Sequence, residues 1–243
     1  MTISKHISKG EQHKVYCEDF LIDIQLNTNL KLLGVFDGCS SGINSHFASA
    51  LFGNAIFSST KNLELKDETD VLLKNILWQS IQKIKQTSQI LNLSSNELLT
   101  TIILNLIDFE KQVCSIIAIG DGLIALNQEV IKIEQNNMPD YLVYHFYELE
   151  NYSGFDNFIN KQVKFDNKTF TDITISTDGI YSFTNVNSQI SENEIVDYFV
   201  KDEFLKNNQA MLSRKHNILK TKYNATNLDD LAIIRITSNN SIL

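Results

Sequence analysis

The 243-residue sequence predicts an α+β domain built on mostly antiparallel β-structure, and three observations carry that expectation. Apolar stretches of strand length end repeatedly at Asp-Gly or Gly-Asp: KLLGVF before Asp37-Gly38, CSIIAI before Gly120-Asp121, and DITIST before Asp178-Gly179. TTIILNLI and VCSIIAI are separated only by the polar DFEKQ, which suits an antiparallel hairpin and is too short for a parallel crossover. Leu73, Leu77, Ile81 and Ile84 recur at three- and four-residue spacing within 66–92 and share one face of a helix.

Each apolar stretch reads as a buried strand that stops at a turn, because aspartate caps its own backbone and glycine tolerates unusual dihedrals there. A further helix is expected over 42–57. Another opens at Ser191, whose spacing to Glu194 matches a capping box ahead of Ile195, Tyr198 and Phe199. The segment 136–168 is rich in Asn, Asp, Tyr and Phe and contains Pro139 and Gly154, which predicts a strand flanked by mobile loops. No internal repeat or linker appears, so residues 1–243 are expected to form a single domain.

Hydrophobic residues make up 43% of the chain and charged residues 21%, with one proline, a composition that builds a core and excludes a low-complexity chain. The net charge of -8 disfavours nucleic acid and anionic membranes as partners, since both demand a clustered basic surface. Cys17, Cys39 and Cys114 are odd in number and widely spaced, which suits reduced thiols. The start MTISKHISKG has no apolar signal region and no apolar run has the length of a membrane span, so a cytoplasmic location is expected.

One Asp-Gly after a strand is ordinarily only a turn. Four carboxylates at strand ends or loops, Asp19, Asp37, Asp178 and Asp229, suggest more, because strand ends of a common sheet can converge on one edge of a fold. Converging carboxylates repel unless cations lie between them. An oxygen-only donor set without clustered His or Cys selects Mg²⁺ or Mn²⁺ over zinc. Two such ions could share one carboxylate and activate a bridging water for attack on a phosphoryl group. The chain has no P-loop sequence, and none of its cysteines precedes an arginine by six positions, which argues against a cysteine-nucleophile phosphatase.

The ordered set HKVYCEDF, GVFDGCSSG, TTIIL, IAIGDG, STDGIYSF and DDLAIIRI resembles the metal-dependent protein phosphatases of type 2C over nearly the whole chain. The GEQHK that precedes CEDF, and the serine-rich DGCSSG, are similar to a divergent bacterial branch. The resemblance implies an αββα sandwich, two stacked antiparallel sheets flanked by helices, with hydrolysis of phosphoserine or phosphothreonine on a protein, the product of a kinase. It implies that Asp37 bridges two Mg²⁺ or Mn²⁺ ions, that Gly38 offers its carbonyl to one, and that Asp178 and Asp229 complete one shell. Asp19, with Glu18 as the competing candidate, would serve the other. Asp121 falls where a weaker third ion is held.

Three positions depart from that pattern. Lys14 stands where many members carry a phosphate-binding arginine, with His13 beside it as a second candidate. Cys39 replaces a histidine that often follows Asp-Gly and is expected to be a packing or turn residue. Gly122 follows Asp121 where serine is usual. His46 is expected at a helix end, and Trp78 and the tyrosines of 141–147 are expected to pack. Two other functions remain open on this reading: a catalytically silent module that binds phosphorylated protein, and a phosphatase for a small phosphorylated metabolite. The presence of Asp37, Asp178 and Asp229 together favours activity.

Overall fold

The computed structural model describes residues 1–40, 45–61, 63–135, 138–184 and 190–238. Among these, ten strands pair throughout in antiparallel fashion into two five-stranded sheets. The first sheet contains β1 (Thr2–Ser8), β10 (Leu231–Thr237), β9 (Asp172–Ser176), β6 (Gly122–Leu126) and β7 (Glu129–Ile133), in that spatial order. The second contains β2 (Phe20–Gln25), β3 (Leu30–Gly38), β4 (Thr100–Asp108), β5 (Val113–Ile119) and β8 (Val163–Thr169). The expected hairpin is β4 and β5, paired from Ile102↔Ile119 to Asp108↔Val113.

Strand side chains alternate between faces, and in the central strands β3, β4, β5 and β10 both faces are buried, which is why these read as nearly unbroken hydrophobic runs. β3 sends Leu32 and Phe36 outward towards the helices, and Leu33 and Val35 into the space between the sheets. β10 does the same in the other sheet, with Leu231 and Ile233 outward and Ala232, Ile234 and Ile236 inward. Three stacked apolar layers result, and the sandwich is αββα.

The outer face of the second sheet is covered by α1 (Ser45–Thr60), α2 (Thr69–Leu91) and α3 (Tyr152–Ile159). Leu73, Leu77, Ile81 and Ile84 of α2 are all fully buried, each worth roughly 1.5–3 kcal/mol relative to exposure, which outweighs the weak helix propensity of the intervening Asn75 and Ser80. The helix ends at Asn92, which adopts a left-handed conformation (φ 54°). α4 (Glu192–Val200) and α5 (Met211–Lys222) cover the first sheet. Ser191 and Glu194 form the expected capping box at the start of α4.

Two expectations need correction. The segment 136–168 is mainly helical in its described part, with short turns at Leu142–His145 and Glu148–Glu150 followed by α3, and only its end is strand. Its apolar residues Leu142, Val143, Leu149, Phe155, Phe158 and Ile159 are buried at irregular, broken helical spacing, and Asn151 caps α3 by accepting from the Gly154 N–H. Of the tyrosines in 141–147, only Tyr141 is buried; Tyr144 and Tyr147 are exposed. Trp78 does pack, against Tyr152 and Phe155. Residues 42–44, the expected start of α1, lie outside the described residues, as does Ser41.

Candidate metal centre

The strand registers bring the acidic residues to one end of the sandwich. Phe20 pairs with Phe36, so Asp19, just before β2, lies beside Asp37 near the end of β3. In the other sheet Ile233 pairs with Ser176, which sets Asp178, two residues beyond β9, next to the chain that enters β10. Asp121 sits where β5 of one sheet passes directly to β6 of the other.

That crossing is tight. Gly120 (φ 89°) and Gly122 (φ 143°) both adopt positive φ, and a Cβ on Gly122 would lie 2.7 Å from the Ser176 carbonyl oxygen. Glycine at 122, where the resemblance leads one to expect serine, is therefore required by the turn that presents Asp121. Gly179 meets the same kind of restriction, since a Cβ there would overlap the Asp230 carbonyl.

One carboxylate oxygen from each of Asp37, Asp121 and Asp178 lies within 4.8 Å of the other two. Like charges 4 Å apart repel by about 4 kcal/mol at an effective dielectric near 20, so three ionised groups at this spacing need a cation or protons. Burial raises the pKa of Asp37 well above the ordinary carboxylate range, reinforced by Asp19, Asp178, Asp229 and Asp121. Burial, with Asp121 and Asp229, pushes Asp178 up to about 7, with Lys132 of β7 partly offsetting them. Asp121 is raised by burial, partly offset by a hydrogen bond to its own backbone N–H, and raised further by Asp229 and Glu134. Its Oδ1 is buried without a hydrogen-bond partner among the described residues, as expected of a ligand oxygen reserved for a cation. The donor set is carboxylate oxygen throughout and fits a hard divalent ion.

Asp19 and Asp229 do not join so tight a group among the described residues, although both act electrostatically on Asp37. Asp19 is buried, and its pKa is raised by desolvation despite a hydrogen bond from Thr177. Glu18 is turned towards His13, with Oε2 3.6 Å from Nδ1, while its carbonyl accepts from the Gly38 N–H and the Ser49 hydroxyl. Lys14 is exposed on the rim of a shallow cavity of about 280 Å³ that it shares with Gln12, His13, Tyr16, Glu18 and Ser40. His13 lies against carboxylates through both ring nitrogens, an unsuitable arrangement for binding phosphate.

Cys39 is partly buried and packs against the apolar core on the helix-covered face of the second sheet, as expected of a packing residue. Tyr141 hydrogen-bonds to it, and the pKa of Tyr141 is raised by burial first and then by Cys39, Asp37 and Asp121. His46 lies one residue into α1 with its ring stacked on Tyr16.

Sequence reasoning missed Asp230. This residue is 1% exposed, accepts the Gly10 N–H at 2.6 Å through Oδ1, and accepts the Glu18 N–H through Oδ2. Of the adjacent pair Asp229-Asp230, one faces the acidic cluster and one ties down the chain before β2. The only sequence signal is their place directly before the apolar run of β10.

The profile of the protein phosphatase 2C family matches residues 4–228. The chain belongs to this family. Solved structures of family members share its fold. The Stp1 serine/threonine phosphatase of Staphylococcus aureus superposes with a TM-score of 0.62 at 13% identity, over 98% of this chain and 95% of that one. RsbX in complex with magnesium gives 0.55 at 16%, over 95% and 92%. The SpoIIE phosphatase domain with a regulatory fragment, from Bacillus subtilis, gives 0.59 at 13% and covers 99% of this chain, which spans 64% of that one. At these identities the likeness establishes the shared fold alone. No curated protein matches the sequence. Among the described residues no helix is long and apolar enough to cross a membrane.

Proposed function

We propose that this chain is a metal-dependent phosphatase that hydrolyses phosphoserine or phosphothreonine on proteins, the products of a kinase, in the cytoplasm. The approach of Asp37, Asp121 and Asp178 carboxylates within 4.8 Å at one end of a protein phosphatase 2C fold carries this reading. Asp37 would be shared between two Mg²⁺ or Mn²⁺ ions, Gly38 would add its carbonyl, and Asp178 and Asp229 would complete one shell. Asp19 or Glu18 would serve the second ion, and Asp121, with Asp178, a weaker third. Such ions supply a water of lowered pKa and positive charge against the phosphoryl oxygens. RsbX, of the same fold, was solved with magnesium.

The chain's own cation for the substrate is Lys14, exposed in the cavity beside Glu18, where it would meet a phosphate as a point charge. The presence of Asp37, Asp178 and Asp229 together supports an active enzyme over a silent binding module.

The test is hydrolysis of an aryl phosphate and of a phosphopeptide with Mn²⁺ or Mg²⁺, with and without EDTA. Metal-dependent turnover of both is expected. Turnover that survives exhaustive chelation overturns the proposal.

A further inference from the structure

Two chain segments far apart in sequence are laced together beside the acidic cluster. Glu11 and Gln12 donate their N–H groups to the Asn227 and Leu228 carbonyls at 3.1 and 3.0 Å. Gly10 is pressed so closely onto this stretch that a Cβ would lie 2.3 Å from the Leu228 oxygen and the Asp229 carbonyl carbon. The lacing delivers His13, with its side chain 13% exposed, to the Asp229-Asp230 pair. Nε2 lies 3.0 Å from Asp229 Oδ1, and Nδ1 lies 3.1 Å from Asp230 Oδ2.

The backbone of Asp229 is already fixed. Its N–H donates to the Ser182 hydroxyl at 3.0 Å and its carbonyl accepts from the Asn227 amide at 2.7 Å. Its side chain is 44% exposed, and what remains free is the rotation of that carboxylate. Oδ1 is taken by the Asp230 N–H at 2.8 Å and by the His13 contact. Oδ2 is left as the oxygen that can serve a cation.

We infer that His13 is a positioning residue: anchored on buried Asp230, it holds Asp229 Oδ1 and so orients Oδ2 towards the metal centre. The inference rests on the reading of Asp229 as a ligand. Groups that orient ligands from behind commonly change metal affinity by about 10–100-fold when removed, because an unrestrained ligand must be ordered when the ion binds. A ring that acted only through its charge would have the opposite effect, since a cationic neighbour repels a bound cation and its removal would tighten binding.

The experiment titrates Mn²⁺ into full-length wild type, His13→Gln and His13→Leu by calorimetry, with the melting temperature of each metal-free protein and kcat at saturating Mn²⁺ measured alongside. Leucine keeps bulk without a donor; glutamine keeps one donor. The Mn²⁺ dissociation constant is expected to rise about tenfold or more in His13→Leu and less in His13→Gln, with kcat largely restored at saturating metal. Mn²⁺ affinity within twofold of wild type, or tighter, overturns the inference even if the melting temperature falls, since His13 would then be structural only. If His13→Leu does not fold, His13→Ala, which also removes both ring contacts, decides by the same criterion. A wild type that binds no Mn²⁺ overturns the metal-centre reading itself and this inference with it.

Discussion

Thr177 donates its hydroxyl to Asp19 Oδ2 across 2.7 Å and thereby joins the two sheets at the acidic end of the sandwich. The same hydroxyl accepts the Ala232 N–H at 3.0 Å, so one buried oxygen serves two partners from distant parts of the chain. Thr177→Val keeps the shape and removes both bonds, leaving a buried N–H and a buried carboxylate oxygen short of a partner. Each such group costs about 1–3 kcal/mol. Urea denaturation should show a loss of about 2 kcal/mol or more for valine, and less than half of that for Thr177→Ser. Equal losses in the two variants would show that the hydroxyl does not join the sheets.

The raised pKa of Asp178 makes a signed prediction for the metal-free protein. With a folded value of about 7 against an ordinary 3.8, the folded state holds more protons than the unfolded state between those limits. Ionised Asp178 therefore opposes folding, and its cost grows as pH rises through that window and levels off above about 7. Asp178→Asn removes the titration. In EDTA the stability advantage of the variant over wild type should widen from pH 5 to pH 7, by at most about 1.4 kcal/mol per pH unit. Turnover should be lost. A pH-independent difference would rule out the strained carboxylate.

Lys14 has no ion-pair partner among the described residues and is exposed, so its removal should leave the fold within about 0.5 kcal/mol of wild type. Its expected work is on the substrate. Lys14→Ala should raise KM for a phosphopeptide more than it lowers kcat, the signature of lost ground-state binding. An unchanged KM would remove Lys14 from the substrate site.

How much of this was legible in the sequence depended on whether a signal was local. The strand ends at Asp37 and Asp178, the β4–β5 hairpin and the capping box at Ser191 could be read because each is fixed by a few adjacent residues. The segment 136–168 misled because its buried residues are spread over short helical pieces with no sustained period. His13 and Asp230 were out of reach for another reason. Their contact depends on lacing between residues 10–12 and 227–228, and nothing within either segment announces the other. Adjacent aspartates at 229 and 230 likewise look alike until the fold turns one towards the cluster and buries the other.

Asp121 offers the most exposed prediction, because the resemblance makes it a weaker third-ion residue whereas the geometry sets it in the tight group with Asp37 and Asp178. It reaches that position only through a turn with positive φ on both sides, and its Oδ1 is buried without a partner among the described residues. A residue that merely capped the turn would spend both oxygens on backbone N–H groups, and removing it would cost about 1 kcal/mol. A residue held against two other carboxylates by the fold does the opposite: its removal relieves repulsion. Asp121→Ala should therefore leave the metal-free protein as stable as wild type or more so, while lowering kcat at every Mn²⁺ concentration up to saturation. Two tightly bound ions should remain in calorimetry if Asp121 serves only a third. Loss of one tight ion would instead place Asp121 in the main centre. A normal kcat at saturating Mn²⁺, together with a fall in metal-free stability, would reduce Asp121 to a turn cap.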